Sequence, residues 1–245
     1  MKIGISALMF NLEEALNICE KNKKINHIEV GLDNLEDIDI LKKYKNRIKD
    51  LNLSISIHLP MELNTCEDIK YIKSSWIDFI CKMDDSLSMD FDIKYYNVHL
   101  GYVMTNRLYK NKQKYLKNTV EFLNDDRLDK KIISIENTYS KKGDFSNIGD
   151  NVDDFNYIFN NISNKNIYFC YDTGHDLINN SDYTKLSGMT KIIHFSDNDG
   201  VDDLHVGYKK GILSDEIFDD IEKINPDYLI LEISFDDIED TLNYF

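Results

Sequence analysis

The chain has 245 residues, and its 44 acidic side chains outnumber 29 basic ones to give a formal net charge of −15. This length fits one large α/β domain, and the acidity disfavours, without excluding, a protein that grips the nucleic-acid backbone through a basic face. No apolar run approaches the roughly 18 residues of a membrane span. The four scattered cysteines predict reduced, mostly buried thiols in a cytoplasmic protein.

The chain opens on MKIGISALMF, which predicts a first strand rather than a signal peptide because it lacks a small-residue cleavage pattern. Further β-rich runs alternate with segments such as NLEEALNICEKN, in which apolar residues recur every three to four positions. In chain order the predicted strands cover 2–8, 27–33, 53–59, 95–101, 131–138, 166–174, 191–198 and 228–234.

Regular alternation of strands and helices predicts a parallel sheet. Eight such units in a chain of this length indicate a (β/α)8 TIM barrel, with residues 1–245 forming a single domain. The alternative is an open, doubly wound sheet. That fold usually has fewer strands, and no glycine-rich phosphate-binding motif follows the first strand here.

Histidines and acids gather at the predicted carboxyl ends of the strands, where barrel enzymes build their active sites. Five of the six histidines fall there, and the sixth, His27, lies at the opposite end of its strand. Closing the barrel would bring residues distant in sequence into one pocket. The set comprises His58, His99, Glu136, Asp172, His175, His194, Asp203, His205 and Glu232.

A divalent metal explains this set better than separate structural roles do. Alone, a strand-end histidine is usually a hydrogen-bonded core residue, Asp172 could cap a helix, and DNDG at 197–200 is good turn chemistry. Together, several buried carboxylates need a counter-charge that the few nearby lysines do not supply. Imidazole and carboxylate are the usual ligands of zinc and manganese. Glu29 is left outside the metal set, since it could point into the barrel or join a salt bridge.

Other catalytic chemistries lack their motifs. The sequence contains no G-x-S-x-G nucleophile elbow, no phosphate-binding P-loop and no motif that sets a cysteine beside a histidine.

The motifs IHLP, VHLG, IENT, YDTGH, HFSDNDG with DLH, and LEIS, in this order, resemble the xylose isomerase-like barrel superfamily over nearly the whole chain. That superfamily includes sugar and sugar-phosphate isomerases and epimerases, together with abasic-site nucleases of the endonuclease IV type. The epimerase branch implies one divalent metal held by Glu136, Asp172, His194 and Glu232. The endonuclease IV branch implies three zinc ions with the further ligands His58, His99, His175, Asp203 and His205.

The sequence departs from the superfamily pattern in the loop after the seventh strand. The usual H-x-P-x-G-x-G is HVGYKKG here, so that Gly207 replaces the proline and Lys209 the first glycine, while Gly211 remains. The rim loops are also shorter than those with which the nucleases grip DNA. These differences concern the shape of the loop and the substrate more than the metal ligands.

The resemblance and the acidic composition favour a divalent-metal enzyme, with one to three zinc or manganese ions, that isomerises or epimerises a small sugar or sugar phosphate through a metal-stabilised enediolate. Glu136 and Glu232 would exchange the proton as base and acid, and His175 would contact the substrate. Lys209 or Lys210 could hold a phosphate.

Two alternatives remain open at this point. One is a metal-dependent phosphodiesterase of the endonuclease IV type with a di- or trinuclear zinc cluster. The other is a non-catalytic barrel that binds a sugar or stores metal. The sequence predicts no membrane partner, disfavours nucleic acid, and leaves the oligomeric state open, a homo-oligomer included.

Overall fold

The structure is a computed structural model that describes residues 1–141 and 143–245. Eight parallel strands close into a barrel in the order β1-β10-β9-β8-β6-β4-β3-β2, which excludes the open sheet. The described strands are β1 (Lys2–Leu8), β2 (Ile25–Gly31), β3 (Ser54–His58), β4 (Ile93–His99), β5 (Tyr102–Met104), β6 (Ile133–Glu136), β7 (Phe145–Asn147), β8 (Ile167–Asp172), β9 (Thr190–Phe195) and β10 (Tyr228–Leu231).

Helices surround the barrel and cover its apolar outer face. They are α1 (Leu12–Lys21), α2 (Asp37–Leu41), α3 (Lys45–Asp50), α4 (Lys70–Leu87), α5 (Thr105–Leu123), α6 (Val152–Asn161), α7 (Thr173–Asn179), α8 (Glu216–Ile224) and α9 (Ile238–Leu242). In α1, for example, Leu12, Ala15, Leu16 and Cys19 are buried at helical spacing. The main hydrophobic core therefore lies between the strands and the helices.

All eight predicted barrel strands are present, so the (β/α)8 prediction is confirmed. The predicted strand 166–174 ends earlier, at Asp172, because Thr173 begins α7 and the Asp172 side chain caps it by accepting a hydrogen bond from the His175 amide at 2.6 Å. The sequence did not predict the short antiparallel pair β5 and β7, which lies outside the barrel.

The barrel interior is unusually polar for a protein core. Glu29, Ser56, Asn97 and Ser134 are each fully buried and lie on neighbouring strands below the carboxyl-terminal rim. A small separate apolar cluster, made of Tyr95, Cys170, Ile192 and Ile230, packs with Tyr228. A polar layer thus lies beneath the ends of the strands, where the predicted ligands are.

His27 is buried near the amino-terminal end of the barrel, stacked against Tyr95 with the ring centroids 5.8 Å apart. Its Nδ1 lies 2.8 Å from the hydroxyl of Ser54, and its Nε2 has no hydrogen-bond partner. Burial, with repulsion from Lys2 and Lys94, lowers the pKa of His27 from 6.5 to about 3. The folded protein therefore holds this imidazole neutral.

We expect His27→Gln to reduce the fall in the free energy of unfolding that the wild-type protein shows as the pH is lowered. Between the unfolded pKa of 6.5 and the folded pKa of about 3, the unfolded chain binds more protons, so His27 reduces stability as pH falls through that window. The loss approaches about 1.4 kcal/mol per pH unit below the unfolded pKa and amounts to about 2 kcal/mol between pH 7.5 and pH 5. Urea unfolding of both proteins at pH 7.5 and 5 measures it, and parallel pH curves would contradict the burial effect.

Candidate metal centre

The strand ends bring the predicted ligands to one rim of the barrel. His58, His99, Glu136 and Asp172 end β3, β4, β6 and β8, respectively. The strand register sets His99 beside Glu136 and Asp172 beside His194. His194 lies within β9, and Glu232 directly follows β10. His175 lies in the first turn of α7, while Asp203 and His205 belong to the loop after β9.

Glu136, Asp172, His194 and Glu232 form the central group. Each offers one ligand atom, and these four atoms lie within 4.8 Å of one another. His194 Nδ1 lies 2.8 Å from Glu232 Oε2 and 3.4 Å from Glu136 Oε2. The structure therefore brings together the four residues that the epimerase-like resemblance implies.

The hydrogen bonding of the central group fits a divalent cation. Asp172 Oδ2, Glu232 Oε2 and both ring nitrogens of His194 are buried without a hydrogen-bond partner. Buried polar atoms are normally paired, and three carboxylates around one imidazole repel each other without a counter-charge. A hard or borderline divalent ion would satisfy these atoms and balance the charge.

His58 and His99 flank Glu136 on its other side and form a second group with it. His58 Nε2 lies 3.4 Å from Glu136 Oε2, and His99 Nε2 lies 3.2 Å from Glu136 Oε1. These three residues also offer ligand atoms within 4.8 Å of one another. Glu136 is thus shared between two groups that could each hold an ion.

Asp203 joins His175 and His205 in a third group. Asp203 Oδ2 lies 3.3 Å from His175 Nε2 and 3.1 Å from His205 Nε2, and Asp203 Oδ1 has no hydrogen-bond partner. His205 adopts a left-handed backbone conformation with φ at 47°, which is uncommon outside glycine. All nine predicted ligands therefore lie in three adjoining groups.

Three histidines turn Nε2 toward the cavity and keep Nδ1 against the backbone. Nδ1 lies 2.8 to 2.9 Å from a backbone carbonyl in each case: Leu59 for His58, Asn137 for His175, and Glu232 for His205. Because a carbonyl only accepts, Nδ1 must carry the proton, which leaves the Nε2 lone pair of the neutral ring facing the acids. Metal-binding histidines are commonly oriented in this way.

Protons in the site lie on several histidines and, near neutral pH, partly on Asp172, while burial lowers the pKa of His99. Burial alone would lower the pKa of His58 and of His175, yet Glu136 raises the first to about 9 and Asp172 with Asp203 raises the second to about 10. Burial likewise opposes ionisation of Glu136, but His99 and His194 hold its pKa well below the usual range. Burial raises the pKa of Asp172 to about 7. Metal binding would displace such protons.

The loop after β9 is folded back by the turn residues that precede it. Asp197 pairs through its backbone with Val206, and its carboxylate accepts hydrogen bonds from the amides of Gly211 and Leu213 at 2.9 and 2.8 Å. A Cβ at Gly211 would lie 2.1 Å from the Asn198 carbonyl oxygen, so only glycine fits there. This folding returns Asp203 and His205 toward the rim.

Lys209 lies apart from the three ligand groups. Its ammonium pairs with Asp215 and lies 4.9 Å from the centroid of the Tyr208 ring. Its backbone keeps a left-handed conformation, with φ at 72°, where the superfamily pattern has glycine. Lys210 pairs with Asp237. The predicted phosphate contact through Lys209 has no support from this geometry and stays a prediction.

Two adjoining cavities open above the ligands. One, of about 220 Å³, is lined by His58, His99, His175, Asp203, His205 and Glu232 among others. The other, of about 590 Å³, shares Ser6, Leu8, His205 and Glu232 with it and extends over Glu14 and Asp236. Among the described residues that line the two cavities, none is lysine or arginine.

Sequence reasoning missed the residues that hold the ligands. The Asn97 amide donates to Glu136 Oε2, and Asn137 both accepts from the Asp172 amide at 2.7 Å and donates to its carbonyl at 2.9 Å. The only sequence signal for them was adjacency, since Asn137 follows Glu136 and Asn97 lies two residues before His99. Glu29, which was left outside the metal set, lies in the barrel 3.0 Å from His194.

Among the helices within 1–141 and 143–245, none combines the length and the apolar character that crossing a membrane requires.

Comparison with known proteins places this chain in a family. Solved structures of similar fold include a D-tagatose 3-epimerase-like protein, with TM-score 0.81 and 18% identity over 100% of this chain and 96% of the other. An L-ribulose 3-epimerase aligns with TM-score 0.71 and 15% identity over 99% of this chain and 84% of the other. A 3-keto-D-glucoside 4-epimerase from E. coli aligns with TM-score 0.75 and 16% identity over 100% of this chain and 98% of the other.

These identities establish a shared fold and no more. No curated protein matches the sequence. The family model described as xylose isomerase-like TIM barrel matches residues 7–244, which is nearly the whole chain. The protein therefore belongs to the xylose isomerase-like TIM barrel family.

Proposed function

We propose that this protein is a divalent-metal-dependent enzyme that isomerises or epimerises a small sugar. Glu136, Asp172, His194 and Glu232 would hold the ion, which would be manganese or zinc. The observation that carries the proposal is the central group itself: four ligands from four strand ends, with buried atoms that have no other partner, beneath an open cavity. The range 1–245 would act as one domain.

The two glutamates of the central group suit proton transfer at a carbon atom. When bound, the ion would polarise two neighbouring sugar oxygens and acidify the C–H bond beside them. One glutamate would enter the step as the carboxylate and take that proton, while the other would enter it as the carboxylic acid and give its proton to the opposite face, the roles exchanging in the reverse reaction. Burial opposes ionisation of Glu232, but His194 lowers its pKa to about 2, so this side chain is a carboxylate near neutral pH.

The charge around the cavities favours an uncharged sugar over a sugar phosphate. The described lining residues include Glu14, Asp203, Glu232 and Asp236 but no lysine or arginine. A phosphate there would face these acids with no lysine or arginine among the described lining residues to pair with it. His175, which turns Nε2 toward the cavity, would donate or accept a hydrogen bond with the sugar.

A second function is favoured by the shared position of Glu136. Because Glu136 lies between the central group and the His58–His99 pair, and Asp203 joins two further histidines, the site could hold two or three zinc ions. That arrangement suits a phosphodiesterase of the endonuclease IV type. The net charge of −15 and the absence of basic residues among the described lining of the cavities oppose DNA binding.

One experiment separates the two functions. Protein purified without chelator is analysed for metal content, then incubated in D₂O with manganese or zinc and with D-tagatose, L-ribulose or a 3-keto-D-glucoside, the sugars of the similar structures. The panel also includes the 6-phosphate of D-tagatose and a DNA duplex with one abasic site. The duplex is tested at about 50 mM salt, a condition that favours phosphate contacts.

We expect about one metal ion per chain, deuterium incorporation and a new epimer from an unphosphorylated sugar, and no incision of the duplex. Two or three ions per chain with metal-dependent incision and no reaction of the sugars would overturn the proposal in favour of the phosphodiesterase. Metal binding without turnover of either substrate class would instead indicate a non-catalytic barrel.

A further inference from the structure

Glu29 is a buried acid that the central group does not include. It lies on β2, its side chain is fully buried inside the barrel, and neither of its carboxylate oxygens has a hydrogen-bond partner. Burying a carboxylate without a partner costs several kcal/mol. An acid in this position therefore calls for a cationic or proton-donating neighbour.

The charged neighbour is His194, and the buried hydroxyl of Tyr95 also lies near Glu29. Its Nε2 lies 3.0 Å from Glu29 Oε1, and within the described chain Glu29 is the one acidic residue within 4.0 Å of that nitrogen. The other nitrogen, Nδ1, faces Glu232 at 2.8 Å and Glu136 at 3.4 Å. The imidazole thus stands between the central group above and Glu29 below.

His194 is oriented oppositely to the other ligand histidines. His58, His175 and His205 each keep the proton on Nδ1, against a backbone carbonyl, and turn Nε2 to the cavity. In His194 it is Nδ1 that faces the ligands, so an ion there requires the lone pair on Nδ1 and the proton on Nε2. No backbone carbonyl among the described residues is within hydrogen-bonding geometry of that Nε2.

We propose that Glu29 is the positioning residue of the metal centre: in the metal-bound protein its carboxylate, 3.0 Å from His194 Nε2 here, accepts the Nε2–H and thereby holds the imidazole in the tautomer whose Nδ1 lone pair faces Glu136 and Glu232. The negative charge on Glu29 also makes Nδ1 a better donor to a cation. This inference rests on the proposed metal centre and adds a residue that does not itself bind the ion.

The test uses zinc as the probe, because it is diamagnetic and suits both affinity and NMR measurements. Zinc affinity is measured by chelator competition for the wild-type protein, Glu29→Gln and Glu29→Met. Ser134→Ala is the matched control, since its hydroxyl is also fully buried in the barrel and also has no partner. Long-range ¹H–¹⁵N spectra of the zinc-loaded wild-type protein report which nitrogen of His194 carries the proton.

We expect the proton of His194 on Nε2, shifted downfield by the carboxylate. We also expect zinc affinity to fall about 10- to 100-fold in both Glu29 variants, as is usual when a carboxylate that orients a ligand is lost. The control should stay within about twofold, since Ser134 pairs in the sheet with Asn97 and Tyr168 and not with a residue of the His194 strand. Thermal unfolding of the zinc-free variants checks that both proteins fold.

The outcomes distinguish this inference from the function on which it rests. A wild-type protein that binds no zinc overturns the metal centre itself. A wild-type protein that binds zinc with the His194 proton on Nδ1 overturns the role of Glu29 alone, even if both Glu29 variants fail to fold. The role of Glu29 is also overturned if a folded Glu29→Gln protein binds zinc as tightly as the wild-type protein does.

Discussion

Glu232→Gln is expected to lower the rate of proton exchange with the sugar by about 100- to 10,000-fold, the usual contribution of a general acid or base. Glutamine keeps the size of the side chain and an oxygen that can still face the ion, but it cannot accept the proton. The measurement is deuterium incorporation in D₂O under saturating metal, so that weakened metal binding does not account for the loss.

Glu14→Gln is the matched control, because Glu14 lines the same larger cavity as Glu232 but lies outside the three ligand groups. It should leave the exchange rate within about threefold of wild type, since a surface carboxylate outside the reacting set contributes no proton transfer. His58→Ala and His205→Ala should reduce the rate less than Glu232→Gln does. Equal and complete loss in all three variants would favour a multinuclear site and the phosphodiesterase.

Asp172→Asn is expected to abolish most of the stabilisation that metal provides. In the wild-type protein, metal at 100 times its dissociation constant should raise the free energy of unfolding by about 2.7 kcal/mol. For a chain of this size, that corresponds to a rise of about 5 to 10 °C in the melting temperature. Removing the ion with a chelator should reverse the rise, because the buried carboxylates again repel one another.

The variant is informative because asparagine preserves the other role of Asp172. Asp172 caps α7 through Oδ1, and asparagine caps helices about as well, so the metal-free variant should remain folded. Asp176→Asn is the matched control: Asp176 is a partly buried acid in the same helix, but it accepts its hydrogen bond from Tyr171 at 2.8 Å. If metal raises the melting temperature of Asp172→Asn as much as that of the control, Asp172 is not a ligand.

The barrel and its rim were predictable because they depend on patterns that run along the chain. Alternating strands and helices specify a parallel sheet, and parallel strands place all their carboxyl ends on one side. His58, His99 and Glu136 could therefore be grouped without knowing any distance, and the structure places them together. The family was also predictable, since it is carried by short motifs at these same strand ends.

The supporting residues could not be predicted, because their partners are set by the tilt and stagger of the closed barrel. Glu29 alternates with apolar residues in HIEVGLD, a pattern equally typical of a surface salt bridge, and only closure brings it to His194 on β9, three strands away around the barrel. Lys209 shows the converse: sequence placed it near acids and histidines, but the turn directs it to Asp215. The β5–β7 pair, with three residues in each strand, is too short to give a periodic signal.

The acidic lining of the two cavities also has a consequence for how an ion would reach the proposed site. Glu14, Asp203, Glu232 and Asp236 lie among the lining residues, which include no lysine or arginine in the described chain, and low-dielectric walls strengthen the field of such carboxylates. We expect divalent cations to be attracted to this entrance and phosphorylated sugars to approach it more slowly. Both effects should be strongest in dilute salt and should weaken as ionic strength rises.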